Sequence, residues 1–146
     1  MKIATIHIEN FRSIRSLDIS LDDITVFIGP NNSGKSAILE AVRIALSRRW
    51  GLRGTGFTED DVHRPDENTN PRTAPPVKIQ FEFIESSVGD WPADMVANLN
   101  EIMPLTSGGL NKITVSITYT WDLDKETFLP AWEFLDSSGN ILTTRH

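Results

Sequence analysis

One stretch limits what this chain can fold into: Ile24 to Ala37, reading Ile-Thr-Val-Phe-Ile-Gly-Pro-Asn-Asn-Ser-Gly-Lys-Ser-Ala. Gly29, Gly34, Lys35 and Ser36 stand at the spacing G-x-x-x-x-G-K-[ST] of a phosphate-binding loop. The flanks agree with the motif. Ile24 to Ile28 is rich in β-branched and aromatic residues and reads as a buried strand. After Ser36, the apolar residues Ile38, Leu39, Val42, Ala45 and Leu46 recur at helical spacing. A glycine turn that merely precedes a helix would leave the Lys-Ser pair and the strand unexplained.

Charge gives the arrangement its purpose. Backbone N–H groups from Asn31, Asn32, Ser33, Gly34, Lys35, Ser36 and Ala37 can converge on an anion that also faces the positive end of the helix dipole. Gly34 lets the main chain approach closely. Lys35 is expected to reach the β and γ phosphates of ATP. The Ser36 hydroxyl suits Mg²⁺, a hard cation that prefers oxygen ligands. The fold class expected is α/β: the N-terminal lobe of a P-loop NTPase, a mixed sheet around the Walker A helix, with an antiparallel β meander.

At 146 residues, 39% apolar and 23% charged, the chain is long enough for one domain with a core. No apolar run approaches the roughly 20 residues that span a bilayer, and no signal peptide is visible. It has no cysteine, which excludes disulfides and cysteine-ligated zinc. A cytoplasmic protein without membrane partners is expected. The net charge of −6 is unevenly spread. Residues 1–56 hold eight Lys/Arg and five Asp/Glu, whereas residues 57–146 hold six and fifteen. The acidic part is a poor general surface for DNA.

Alternation predicts strands over Ile3–Ile8, Leu17–Leu21, Val77–Phe83 and Ile113–Trp121, and a return strand over Pro130–Leu135. A tight turn over 137–140 leads to a last strand at Ile141–Thr143. His7 reads as solvent-facing, and Gln80 as an outward strand residue. A helix is expected from Ser36 to about Arg49, with Ile38, Ala41, Val42 and Ala45 inward. A second, capped by Asp90, is expected over Pro92–Glu101. Arg43, Arg48, Arg49 and Arg53 are either dipole-matched, solvated arginines or a DNA-facing patch. Glu59, Asp60, Asp61 and His63 read as a solvated acidic turn, with a metal site as the alternative. The organisation expected is a nucleotide-binding core over 1–56, an irregular loop over 57–76, and an antiparallel β portion of the same lobe over 77–146.

The link between the first two strands is Asn10-Phe11-Arg12-Ser13. With Gly29 to Ser36, it resembles the ATPase heads of the RecF, SMC and double-strand-break repair group. It resembles most the OLD (overcoming lysogenization defect) family of ATP-dependent nucleases, over roughly the first 65 residues. The resemblance implies that Arg12 contacts the nucleotide, which a guanidinium does well on phosphate oxygens. Pairing of Arg12 with a surface carboxylate is the alternative. It also implies that the acidic loop carrying His63 lies near the adenine.

Hydrolysis requires more than a phosphate cradle. Ile113 to Asp122 alternates apolar with Thr and Ser, unlike the continuous apolar run of a Walker B strand, so Asp122 and Asp124 are not assigned that role. Leu105–Leu110 contains Ser-Gly-Gly, but no room for a helix before the next strand, so it reads as a loop and not as an ABC signature. The chain is expected to carry the front half of an ATPase head, with Walker B, signature and any Toprim nuclease domain elsewhere. Taken alone, it is expected not to turn over ATP. In the OLD reading it is the ATP-binding part of a DNA nuclease in DNA metabolism or anti-phage defence. That reading implies DNA as a partner of the larger protein and a homodimer or larger assembly through ATPase heads. The alternatives are a RecF/SMC-like repair ATPase head and a non-hydrolysing ATP-sensing module that regulates a partner.

Overall fold

The computed structural model describes residues 2–21, 35–46, 57–99, 109–136 and 138–142. The expected strand Ile24–Ile28, the glycine loop through Gly34, and Arg48, Arg49 and Arg53 lie outside the described residues.

Six strands form one sheet: β1 (Lys2–Phe11), β2 (Ile14–Ser20), β3 (Val77–Ile84), β4 (Lys112–Asp122), β5 (Thr127–Leu135) and β6 (Ile141–Leu142). Their order is β2-β1-β3-β4-β5-β6, and among the described strands every pairing is antiparallel. Register follows the period-two pattern of the sequence. Ile8 stands opposite Ile79, and Ile79 opposite Ile117; Ile6 stands opposite Phe81, and Phe81 opposite Val115. Ile8, Ile79, Phe81 and Ile117 are fully buried, each worth roughly 1.5–3 kcal/mol of transfer free energy. Thr5, His7, Glu9, Lys78, Gln80, Glu82, Thr114, Ser116 and Thr118 carry the opposite parity and line the polar face.

Helix α1 (Lys35–Leu46) packs its inward stripe, Ala37, Ile38, Ala41, Ile44 and Ala45, on the apolar side. Of the four residues expected inward, Ile38, Ala41 and Ala45 are buried, and Ala37 and Ile44 join them. Ile44 is buried, Val42 is only half-buried, and Leu39 and Leu46 are 59% and 44% exposed. Helix α2 (Ala93–Leu99) covers the other end of the same face, where Trp91, Ile113 and Val115 are buried against Phe83, Met95, Val96, Phe134 and Leu142. Asp90 lies three residues before this helix and is not its cap; its carboxylate accepts the Ser86 N–H at 3.2 Å. Buried Glu85, at the end of β3, ties the sheet to α2 by accepting the N–H of Trp91 (3.2 Å) and of Asn111 (2.8 Å).

Carboxylates close the turns that flank β5. Asp122 accepts the Lys125 N–H at 2.8 Å between β4 and β5. Asp136 accepts the N–H groups of Ser138 and Asn140 before β6. Pro130 sits in β5 opposite Tyr119, beyond the two residues that β6 pairs. A missing N–H is tolerated at such a position.

Candidate nucleotide site

Lys35 and Ser36 open α1, with Lys35 half-buried, Ser36 exposed and Ala37 buried beneath them. A helix fastened to the sheet along its length, from Ala37 to Ala45, holds its first turn in a fixed direction. Asn31, Asn32, Ser33 and Gly34, the rest of the expected set, lie outside the described residues.

Arg12 is placed by the link between β1 and β2. Asn10 (φ 58°) and Arg12 (φ 49°) both take the left-handed conformation. Asparagine tolerates it; for arginine it costs on the order of 1 kcal/mol, so the surroundings must hold it in place. They do so through residues about 50 positions away. Arg12 N–H donates to the Asp61 carbonyl and His63 N–H to the Asn10 carbonyl, both at 2.8 Å, and Phe11 bridges Val62. His63 Nδ1–H donates to the Arg12 carbonyl at 2.7 Å. Asn10 Nδ2 reaches the Pro76 carbonyl at 3.1 Å.

The side chains add a second clasp. Arg12 Nε donates to Asp61 Oδ1 at 2.8 Å, while Asp61 Oδ2 accepts the Thr58 N–H at 2.8 Å across the 3-10 turn Glu59–Asp61. Asp61 is 3% exposed, so the expectation of a solvated acidic turn fails at this position. A buried carboxylate requires partners, and a cation with a backbone N–H supplies them. No cluster of three metal-ligating side chains occurs among the described residues. Glu59 pairs with Arg72 (2.7 Å), and Asp60 faces Arg64 (3.9 Å).

Arg12 therefore has a carboxylate partner, but a buried one, brought from 49 residues away by the turn Glu59–Asp61. The Arg12 side chain remains 39% exposed and borders an open hollow of about 420 Å³ with Asp60, Val62 and Arg64. Its charge also extends to α1. Arg43 grips Glu40 by two nitrogens, and this hydrogen bonding, with a smaller contribution from Arg12, holds the Glu40 carboxyl below its usual value. Glu40 lies five residues beyond Lys35, or ~7.5 Å along the axis. The Arg12–Asp61 pair thus acts on the Glu40–Arg43 pair of the helix that Lys35 opens. Arg43, read as solvated or DNA-facing, is engaged with Glu40.

His7, expected to face solvent, lies on the polar face with its side chain 22% exposed and bonds Asp18 Oδ1 (2.5 Å) and Glu9 Oε1 (2.7 Å). Asp61 and His63 were visible in the sequence only as an acidic stretch; their partners are too distant in the chain for spacing to reveal them.

Comparison with known proteins agrees with this architecture. The model of the family described as AAA ATPase domain matches residues 1–133. The Old nuclease of Escherichia phage P2 is 37% identical over 129 residues, 87% of this chain and 19% of that protein. Endonuclease GajA of Bacillus cereus (strain VD045) is 38% identical over 66 residues, 45% of this chain and 11% of that protein. The DNA double-strand break repair Rad50 ATPase of Methanosarcina acetivorans is 49% identical over 47 residues, 32% of this chain and 4% of its own length. Among solved structures, one from work on ATP-driven dimerization and DNA stimulated activation of SMC ATPases superposes with a TM-score of 0.54. It is 16% identical and covers 98% of this chain and 73% of that one, a likeness of fold. The chain thus spans about a tenth to a fifth of the two nucleases it matches.

Proposed function

We propose, since this chain belongs to the AAA ATPase domain family, that it binds ATP with Mg²⁺ as the N-terminal part of an OLD-type ATP-dependent DNA nuclease. The observation that carries the proposal is the placement of Lys35-Ser36 at the first turn of a helix anchored on the sheet, with Phe11 in the same core as that helix and its neighbour Arg12 clasped by Asp61. The donor set suits the ligand: an ammonium, a guanidinium and helix N–H groups for phosphates, and a hydroxyl for the cation. Asn31, Asn32, Ser33, Gly34, Lys35, Ser36, Ala37 and Arg12 are the nucleotide contacts in this reading, and Ser36 holds Mg²⁺. When bound, the magnesium ion offsets phosphate charge; the protein's part is to seat and orient the tail.

The identity to the phage Old nuclease along most of the chain supports the nuclease reading. The Rad50 match and the SMC-like fold favour, as second reading, a repair or chromosome ATPase head. DNA binding and head-to-head dimerisation belong to either reading. A module that senses ATP without hydrolysing it is the third. Among the described residues, no helix is long and apolar enough to cross a membrane.

The test is nucleotide affinity in Lys35→Ala. Loss of one charge-assisted contact, about 1.5–3 kcal/mol, is expected to weaken ATP binding on the order of tenfold to a hundredfold. Equal affinity for ATP in both proteins would reject the site. Nuclease activity of the full-length protein that depends on ATP separates the first reading from the second.

A further inference from the structure

We propose that Asp61 is a positioning residue for the nucleotide site, fixing the Arg12 guanidinium so that its terminal nitrogens are aimed before the ligand arrives. This rests on the reading above, in which Arg12 touches phosphate.

Asp61 uses its two oxygens separately. One takes the Thr58 N–H and the other takes Arg12 Nε, each at 2.8 Å. The Asp61 side chain is 4% exposed and that of Arg12 is 39% exposed, so the pair runs from the interior to the surface. A guanidinium that pairs solely for stability gains most from its bidentate fork of two nitrogens on two oxygens. Asp61 instead binds the innermost donor. The two terminal nitrogens carry four further N–H groups, and their direction is set by where Nε is held.

The main chain fixes the other end of the same side chain. Arg12 N–H and the Arg12 carbonyl are bonded to Asp61 and His63, and the φ of 49° at Arg12 is kept by these contacts. Two fixed points on one long side chain leave few rotamers, so less freedom is lost when a phosphate arrives. The hollow beside the pair, bordered by Arg12, Asp60, Val62 and Arg64, gives the guanidinium an open side.

The experiment is a double-mutant cycle on the protein, read by titration of a fluorescent ATP analogue, with Arg12→Ala, Asp61→Asn and the combined variant. Asp61→Asn is expected to weaken binding about threefold to tenfold, the effect of disorienting one charged contact. In the Arg12→Ala background the same change is expected to cost nothing. A similar loss in both backgrounds, or none in either, overturns the proposal. Should Asp61→Asn fail to fold, Arg12→Lys tests the pair from the other side, because it keeps the charge and lacks the Nε–H. Affinity near that of Arg12→Ala is then expected, and wild-type affinity overturns the proposal. Lys35→Ala in the same series separates the two levels. Insensitivity to Lys35 removes the nucleotide reading and this inference together, whereas sensitivity to Lys35 without sensitivity to Asp61 removes only the inference.

Discussion

Phe57 lies nearly parallel over Tyr119, with ring centroids 4.4 Å apart and 7° between the planes. Phe128 meets Phe57 edge-on at 5.0 Å, and Trp121 meets Phe128 in the same way at 5.2 Å. These rings seal the apolar face of the sheet at the end next to Asp61. They also anchor the loop that carries Thr58 and Asp61, so packing and site geometry share residues here.

Phe57→Ala is expected to destabilise the protein by about 3–5 kcal/mol, from lost burial and the cavity left among the rings. Urea denaturation measures it. A loss below about 1 kcal/mol would mean that the loop repacks without the stack.

Tyr119 is the chain's single tyrosine. Burial, with a smaller push from the negative charge of Asp61, raises its hydroxyl from 10.0 to about 12. Ultraviolet titration is expected to show no tyrosinate in the folded protein near pH 10. The stability this gives is present below pH 10 and is lost as pH climbs toward 12. Tyrosinate absorbance near pH 10 in a folded sample would contradict the burial.

His7 offers a test near neutrality. Burial of the ring is the largest single influence and opposes its charge. The hydrogen bonds to Glu9 and Asp18, with the attraction of both carboxylates, together outweigh it, and the pKa lies above 6.5. The pairing therefore contributes stability in full below pH 6.5 and loses it as pH rises through the raised value. Melting temperature should fall across that window, and His7→Gln should flatten the profile. An unchanged slope in the variant would assign the pH dependence elsewhere.

Glu85 works in the opposite direction. The N–H of Asn111, chiefly, and that of Trp91 hold its carboxyl below 4.5, against the pull of burial. Its contribution is complete above pH 4.5 and disappears as pH falls through the depressed value. Glu85→Gln is expected to lower stability at neutral pH and to make it less dependent on pH in the acid range. Equal acid sensitivity in both proteins would show that other carboxylates set that limb.

How far the sequence could be read follows from the reach of each interaction. Period-two alternation in Val77–Phe83 and Ile113–Trp121 located β3 and β4 almost to the residue, because each side chain there is sorted by one neighbouring face. The helix after the glycine loop is equally plain, and Ile38, Ala41 and Ala45 of its expected inward stripe are buried, with Val42 half-buried beside them. Leu39 and Leu46 are apolar, yet Ile44 and Ala37 are the residues that meet the sheet. Hydropathy alone does not fix the rotation of a helix with apolar residues on more than one side. Asp61 was the larger miss. Within Glu59-Asp60-Asp61 the three carboxylates look alike, and only the approach of Arg12 from 49 residues away selects the one to be buried. The partners of His7 are hidden for a similar reason, since Asp18 comes from the neighbouring strand.

The left-handed backbone at Asn10 and Arg12 has a consequence for engineering. A β-branched replacement at either position would oppose the chirality of the turn as well as remove a side chain. If the proposed nucleotide site holds, Asp60 and Arg64 are the better positions at which to retune ligand preference. These share the rim with Arg12 and carry no such demand on handedness.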